Sequence, residues 1–313
     1  MAADRASAPI YTGHMDNVQA YLNGEWISNS QLCVPVDDLG FLMGATVTER
    51  LRTFHGQVFR LEDHLARLRS SLAIIGLDAD GIADQVANAI PELLRRNQSL
   101  IDRDDDWSIV AFATPGAAGG SQPTVCVHGH PLPFRSWAGQ FEAGVRVVVS
   151  SNRQVPTNCW PAELKCRSRM HYYLADREAA TTQPGARAIV LDQDGHVAEG
   201  TTANVIVYRD GKGLVSPPLD HILAGVSLKV VEELAAKLSL PFVMRPLTVA
   251  ELRTADEALL ASTSICVLPI VECDGQPISD RQPGPIYRRL LAAWGELVGI
   301  DIAQQAQRFA IRS

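Results

Sequence analysis

Lys165 is the first lysine of the chain; the residues before it include many arginines but no lysine. An amine held on rigid backbone and partly buried loses the hydration that stabilises its charge, so its pKa falls. The neutral form then becomes available as a nucleophile toward a carbonyl carbon. Lys165 opens LKCRSRMHYYLADREAA after a strand-like run and a proline-rich turn, and the spacing there reads as a helix with Lys165 at its head. Lys212, Lys229 and Lys237 fall in a polar turn or on an amphipathic helix, where surface lysines are ordinary. Taken alone, Lys165 is also open to a structural reading, and chemistry at this amine requires partners.

A second chemical signal is HILAGVSLKVVEEL, which sets Gly225, Val226 and Ser227 at a helix N-terminus. Free N–H groups and the positive end of the helix dipole bind anions there. Metal chemistry finds no such support. His128 and His130 in VHGHPLPF have no carboxylate or cysteine at metal spacing, and Cys33, Cys126, Cys159, Cys166, Cys266 and Cys273 are scattered without CxxC pairs. We expect no metal site and reduced, structural thiols, with Cys166 beside Lys165 left open.

The elements that must position these residues are legible in outline. QAYLNGEWIS is strand, Asn23-Gly24 turn, strand, and ATVTERLRTFHGQVFRL repeats that grammar across His55-Gly56. Leu61, Leu65, Leu68 and Leu72 mark an amphipathic helix, and another follows over about 81–96. Two more strands, DDDWSIVAFATPG and QPTVCVHGHPLPF, complete a mostly antiparallel α+β half. The second half opens on VRVVVSS and continues as short strands turned at Asp194-Gly195 and Asp210-Gly211. Helix SLKVVEELAAKLSL, strand PFVMRPL, helix TVAELRTADE and strand ALLASTSICVLPI follow. GAAGG at Gly116–Gly120 is not a GxGxxG and reads as a loop.

Length and composition bound the rest. The chain has 313 residues, enough for two domains. We expect an N-terminal arm at 1–17, a small α+β domain at 18–134, a linker at 135–144 and a larger β-rich α/β domain at 145–313. A formal net charge of -7 gives no footprint for nucleic acid. With no long apolar run and no leader pattern, no membrane association is expected and the expected compartment is the cytoplasm.

Four segments in order, LKCRSRMHYYLADREAA, AIVLDQDGHVAEGTTANVIVY, LVSPPLDHILAGVS and ASTSICVLPI, resemble the class IV aminotransferases. These are fold-type IV pyridoxal-phosphate enzymes, including branched-chain and D-amino-acid aminotransferases and aminodeoxychorismate lyase. DDLGFLMGATVTERLRTFHGQVFRLEDHLARLRSS looks like that family's glycine-rich strand, hairpin and H-x-x-R-L helix, so the resemblance runs from about Val18 to Ile278. It implies pyridoxal 5'-phosphate as cofactor, Lys165 as the Schiff-base lysine and Glu199 as the partner of the ring nitrogen. It further implies a phosphate cup of Arg67, Gly225, Val226, Ser227, Ser262 and Thr263, with Leu223 against the ring and Asn204 bracing the Glu199 hairpin. Without the resemblance Arg67 reads as a snorkelling surface residue. The expected partners are a small-molecule amino donor, a keto-acid acceptor and a second copy in a homodimer.

The departures fall on the substrate side. The family's Gly-Asp-Gly is Gly44-Ala45-Thr46 here, its following aromatic is Thr48, and the arginine after the phosphate helix's hydroxyl residue is Leu228. If the substrate carries a carboxylate, an arginine should meet it. Arg52 is the first candidate, then Arg167 and Arg169; Thr48 and Ser264 complete the substrate-side set. Three functions stay open at this point: an aminotransferase, a lyase of the aminodeoxychorismate type that releases pyruvate, and a cofactor-binding protein that has lost its substrate site.

Overall fold

A computed structural model describes residues 17–311; the expected N-terminal arm lies almost wholly outside them. The first half builds a six-stranded antiparallel sheet in the order β2-β1-β6-β5-β3-β4. Its strands are β1 (Gln19–Leu22), β2 (Glu25–Ser28), β3 (Val47–Phe54), β4 (Gln57–Val58), β5 (Trp107–Thr114) and β6 (Thr124–Pro131). Both expected hairpins form, and Asn23 (φ 50°) and Gly24 (φ 95°) supply the left-handed pair that closes β1 on β2. A short turn of helix, α1 (Leu39–Leu42), precedes β3. α2 (Leu61–Ile74) and α3 (Ala79–Asn97) cover one face of the sheet, where Leu65, Leu68 and Leu72 pack with Ile82, Val86, Ile90 and Ile109.

The chain then passes through α4 (Gln140–Ala143). This stretch carries Trp137, Ala138 and Phe141 into the larger core rather than running free over the surface. In the second half, β7 (Val145–Arg153), β8 (Arg187–Leu191), β9 (Val197–Gly200), β10 (Ala203–Arg209), β13 (Glu257–Ser262) and β14 (Cys266–Cys273) close on themselves. The order is β10-β13-β14-β7-β8-β9, and β9 returns to β10. β11 (Gly213–Ser216), β12 (Phe242–Met244) and β15 (Gln276–Pro277) extend this ring. α5 (Met170–Thr182), α6 (Val226–Lys237), α7 (Val249–Arg253), α8 (Pro285–Val298) and α9 (Ile302–Arg308) surround it. Closure pairs these six strands on both sides and leaves the short β12 and β15 as the edges.

Three sequence expectations change here. Lys165 does not head a helix: α5 starts only at Met170, and Lys165 to Arg169 is a non-helical crossing segment. Its backbone is satisfied by β3 instead, Thr48 N–H donating to the Lys165 carbonyl (3.0 Å) and Arg167 N–H to the Thr46 carbonyl (2.9 Å). ALLASTSICVLPI is not one strand either; a turn at Thr263–Ile265 folds β13 back onto β14 in register, Ser262 opposite Cys266. Beyond Ile278, α8 and α9 add two helices that the sequence reading did not include.

Candidate active site

Ring closure sets the register that matters most: Glu199 on β9 lies directly opposite Asn204 on β10. Glu199 is 5% exposed. Its Oε1 accepts from the Tyr172 hydroxyl (2.7 Å) and from Gln154 Nε2 (2.6 Å), so two donors from α5 and the end of β7 fix its direction. Burial raises its pKa, opposed by the Tyr172 hydrogen bond and by the charges of Lys165 and Arg169. Burial and the neighbouring Glu199 charge push the Tyr172 hydroxyl well above its ordinary value, which keeps it a donor. Asn204 Nδ2 donates to the Leu223 carbonyl (2.9 Å), so it braces the loop before α6 and not its own hairpin.

Lys165 is half-buried, and its backbone is held from both sides. Its N–H donates to Ser71 Oγ of α2 (3.1 Å), and its carbonyl accepts from Thr48. The packed surroundings, then the charge of Arg67, lower the amine from 10.5 to about 7; Arg169 adds to this, while Glu49 and Glu199 pull the other way. An amine in that state is substantially neutral at neutral pH, the condition for attack on a carbonyl.

The third feature is an uncapped helix start. α6 begins at Val226 with Gly225 as N-cap, and no side chain caps it. A Cβ on Gly225 would sit 1.9 Å from Asn204 Oδ1, so only glycine lets the two segments approach this closely. Arg67 reaches the same place, donating Nη1 to the Ala224 carbonyl (2.9 Å). Glu49, buried on β3, holds Arg67 with both oxygens, and His64 Nδ1 lies 2.8 Å from Glu49 Oε2. Burial alone would raise Glu49, but Arg67 and His64 override it and keep the carboxyl well below the usual range. Burial also lowers His64, so it stands neutral; a carboxylate only accepts, so Nδ1 carries the proton.

These features face one cleft of about 290 Å³. Lys165, Arg67, Glu199, Asn204, Leu223, Gly225, Val226, Ser227, Ser262 and Thr263 all line it, as do Thr48, Arg167, Arg169 and Ser264. Arg52 is the exception. It is 1% exposed and bound to the Ser264 carbonyl (3.1 Å), Gln305 Oε1 (3.3 Å) and Asp106 (3.6 Å), with its guanidinium over Phe54, so it ties the two halves together and is absent from the wall. Arg50, two residues earlier on the same strand face, lines the cleft in its place. His128 and His130 stay outside it. Glu49, Arg50, Tyr172, Gln154 and Arg187 were missed; only the alternation of β3 could have drawn attention to Arg50 from sequence.

The family model for amino-transferase class IV matches residues 46–273. The chain belongs to the class IV aminotransferases. Members of this family are pyridoxal-phosphate enzymes acting on amino and keto acids. A Methanocaldococcus jannaschii protein assigned by inference as a branched-chain-amino-acid aminotransferase is 30% identical over 278 residues, 87% of this chain and 94% of its own. The D-alanine aminotransferase of Staphylococcus aureus strain MW2 is 30% identical over 279 residues, 86% of this chain and 94% of its own. Among solved structures, the Thermoproteus uzoniensis branched-chain aminotransferase with norvaline has a TM-score of 0.78 at 29% identity, covering 90% of this chain and 95% of that one. The Thermobaculum terrenum branched-chain enzyme in its PLP form has a TM-score of 0.79 at 25% identity, covering 95% and 97%. This class IV aminotransferase therefore has the fold-type IV architecture, and neither the lyase nor the non-catalytic reading is favoured. The donor set fits pyridoxal phosphate: a neutral amine, a buried carboxylate, and a bare helix N-terminus with an arginine.

Proposed function

We propose that this chain moves an amino group between an amino acid or amine and a 2-keto acid, with pyridoxal 5'-phosphate carried on Lys165. The observation that supports this best is the Lys165 amine, lowered to about 7, sharing one cleft with buried Glu199 and the uncapped start of α6. When bound, the cofactor supplies an electron-accepting ring conjugated, through the substrate's amino nitrogen, with the carbon that bears it. Lys165 would hold it covalently and, once released, carry a proton at Nζ between substrate carbon and cofactor carbon. Glu199, aimed by Tyr172 and Gln154, would keep the ring nitrogen protonated. Arg67, the amides of Val226 and Ser227, and the hydroxyls of Ser227, Ser262 and Thr263 would hold the phosphate, with Leu223 against the ring and Asn204 fixing that loop.

Exposed apolar side chains support a homodimer. Phe41 and Leu42 from α1, Met43 just after it, and Met170, Tyr173 and Leu174 from α5 are all exposed, and Ser168 Oγ donating to the Gly44 carbonyl (2.8 Å) joins the two segments. A monomeric mass at micromolar concentration counts against it. Six free cysteines suit a reducing compartment, and we assign the enzyme to the cytoplasm, with small molecules rather than nucleic acid as ligands. The functional test is turnover of the loaded protein with a panel of L- and D-amino acids and amines, with and without a 2-keto acid. Product that exceeds one equivalent per enzyme only with the keto acid present supports amino transfer; pyruvate released without it over many turnovers overturns the reading in favour of a lyase.

A further inference from the structure

Glu199 is held from outside the cleft as well as from its wall. Gln154 and His171 line a smaller recess of about 40 Å³, which adjoins the cleft along Lys165, Arg169, Tyr172, Glu199 and Leu223. Neither Gln154 nor His171 lines the cleft itself, so both act on Glu199 without touching substrate. Gln154 directly follows β7, and its backbone is pinned to the β8–β9 hairpin that carries Glu199. Its N–H donates to the Leu191 carbonyl (2.8 Å), and its own carbonyl accepts from Gln193 Nε2 (2.6 Å). The side-chain amide is fixed separately: Nε2 donates to Glu199 Oε1 (2.6 Å) and to the Tyr172 hydroxyl oxygen (2.9 Å), and Oε1 lies 2.9 Å from His171 Nε2.

An amide turned by half a revolution keeps its shape and exchanges donor for acceptor. At Gln154 that turn would set oxygen against oxygen at Glu199, and the carboxyl would relieve the clash only by taking up a proton. A protonated Glu199 has lost the charge that keeps a ring nitrogen protonated. His171 decides between the two arrangements. Gln154 Oε1 only accepts, so the imidazole nitrogen facing it, Nε2, carries a proton. Burial, then the charge of Arg169, lower the His171 pKa, and its place in the first turn of α5 disfavours a cation further. The neutral ring therefore has one proton, on Nε2, and a bare Nδ1. Tyr172 lies against this ring, centroids 3.9 Å apart, so the imidazole and the hydroxyl that also donates to Glu199 are packed as one unit.

We propose that His171 is a positioning residue for amino transfer: its Nε2–H fixes the Gln154 amide with nitrogen toward Glu199, and so holds Glu199 as an ionised acceptor for the cofactor's ring nitrogen. This rests on the role given to Glu199 above. An amide passes no proton along this chain, so His171 transmits orientation and is not itself an acid or base in the reaction.

The test is nitrogen NMR of the cofactor-loaded protein, with heavy nitrogen placed in histidine in one sample and in the cofactor ring in another. The His171 signals, assigned by their loss in His171→Gln, should show a protonated Nε2 and a bare Nδ1, and the ring nitrogen should be protonated at neutral pH. His171→Phe keeps a ring against Tyr172 but has no donor. It should move the ring-nitrogen signal toward the unprotonated position and lower kcat about tenfold with KM unchanged. His171→Gln, whose amide N–H reaches the same oxygen, should restore both. A bare Nε2 in the wild type overturns the proposal, and this reading stands even where His171→Phe fails to fold. So does a ring-nitrogen signal unmoved in folded His171→Phe, or a loss that His171→Gln shares in full, which marks a packing role. The role of Glu199 fails separately: an unprotonated ring nitrogen in the wild type, or one still protonated in Glu199→Gln, removes it. A ring nitrogen that responds to Glu199→Gln but not to His171→Phe removes only the inference about His171.

Discussion

Arg67 and Glu49 meet fork to fork beside the uncapped start of α6, Nε 2.7 Å from Oε1 and Nη2 2.8 Å from Oε2. Both are buried, Glu49 to 1% and Arg67 to 9% side-chain exposure, so the pair aims the guanidinium and neutralises it in place. Glu49→Gln leaves Arg67 charged and unmatched. Breaking a buried pair costs about 3–5 kcal/mol, which should appear as a lowered Tm. Cofactor affinity should fall about tenfold, read by fluorescence titration. Wild-type affinity in this variant would show that Glu49 does not aim Arg67.

Lys165 titrates near 7, and the sign of its pH effect follows. Burial depresses the pKa of an amine by disfavouring its charged form, so the neutral nucleophile grows as pH rises and saturates above 7. Attachment of pyridoxal phosphate to the cofactor-free protein should accelerate about tenfold per pH unit below 7 and level off by pH 8. A rate that keeps climbing through pH 9 would indicate an ordinary lysine.

Glu199 takes hydrogen bonds from Tyr172 and Gln154 on one oxygen. Glu199→Gln should retain the cofactor yet lose about 100-fold or more in amino-transfer rate, because a charge that stabilises the reacting state is gone. Tyr172→Phe removes only an orienting donor and should cost about tenfold. Single-turnover kinetics separate these effects from binding; equal losses in the two variants would contradict the division of roles.

Gly225→Ala places a methyl group on Asn204 Oδ1. The loop before α6 must shift, and cofactor affinity should fall about tenfold or more through the displaced amides. In an Asn204→Ala background the collision is absent, so the second substitution should add little. Full additivity in this double-mutant cycle would rule out the close approach as the reason for glycine.

How much of this was legible can be read residue by residue. Lys165 and Gly225–Ser227 stand out because their chemistry is local, the first lysine of the chain and a helix start, whereas Glu199, like Arg67, Ser262 and Thr263, was legible only through the family resemblance. The cleft gathers all of them. Arg52 and Arg50 share a strand face, and nothing in the sequence says which is consumed by Asp106 and Gln305, residues 54 and 253 positions away along the chain. Arg60, equally basic, pairs with Glu233 on α6 and Asp63 and stays out of the cleft. The helix expected at Lys165 failed because strand β3 supplies the backbone partners, a long-range pairing that local periodicity does not encode. α8 had the conventional punctuation, Pro285 in its first turn and Gly299 at φ 71° after its end, and was readable in principle.

Whether Lys165 carries the cofactor is decided by borohydride reduction of the pyridoxal-phosphate-loaded protein followed by peptide mass mapping. We expect one phosphopyridoxyl group per chain on the peptide containing Lys165, with Lys212, Lys229 and Lys237 unmodified and no label in Lys165→Ala. Stoichiometric label on another lysine, or undiminished label in Lys165→Ala, would contradict it.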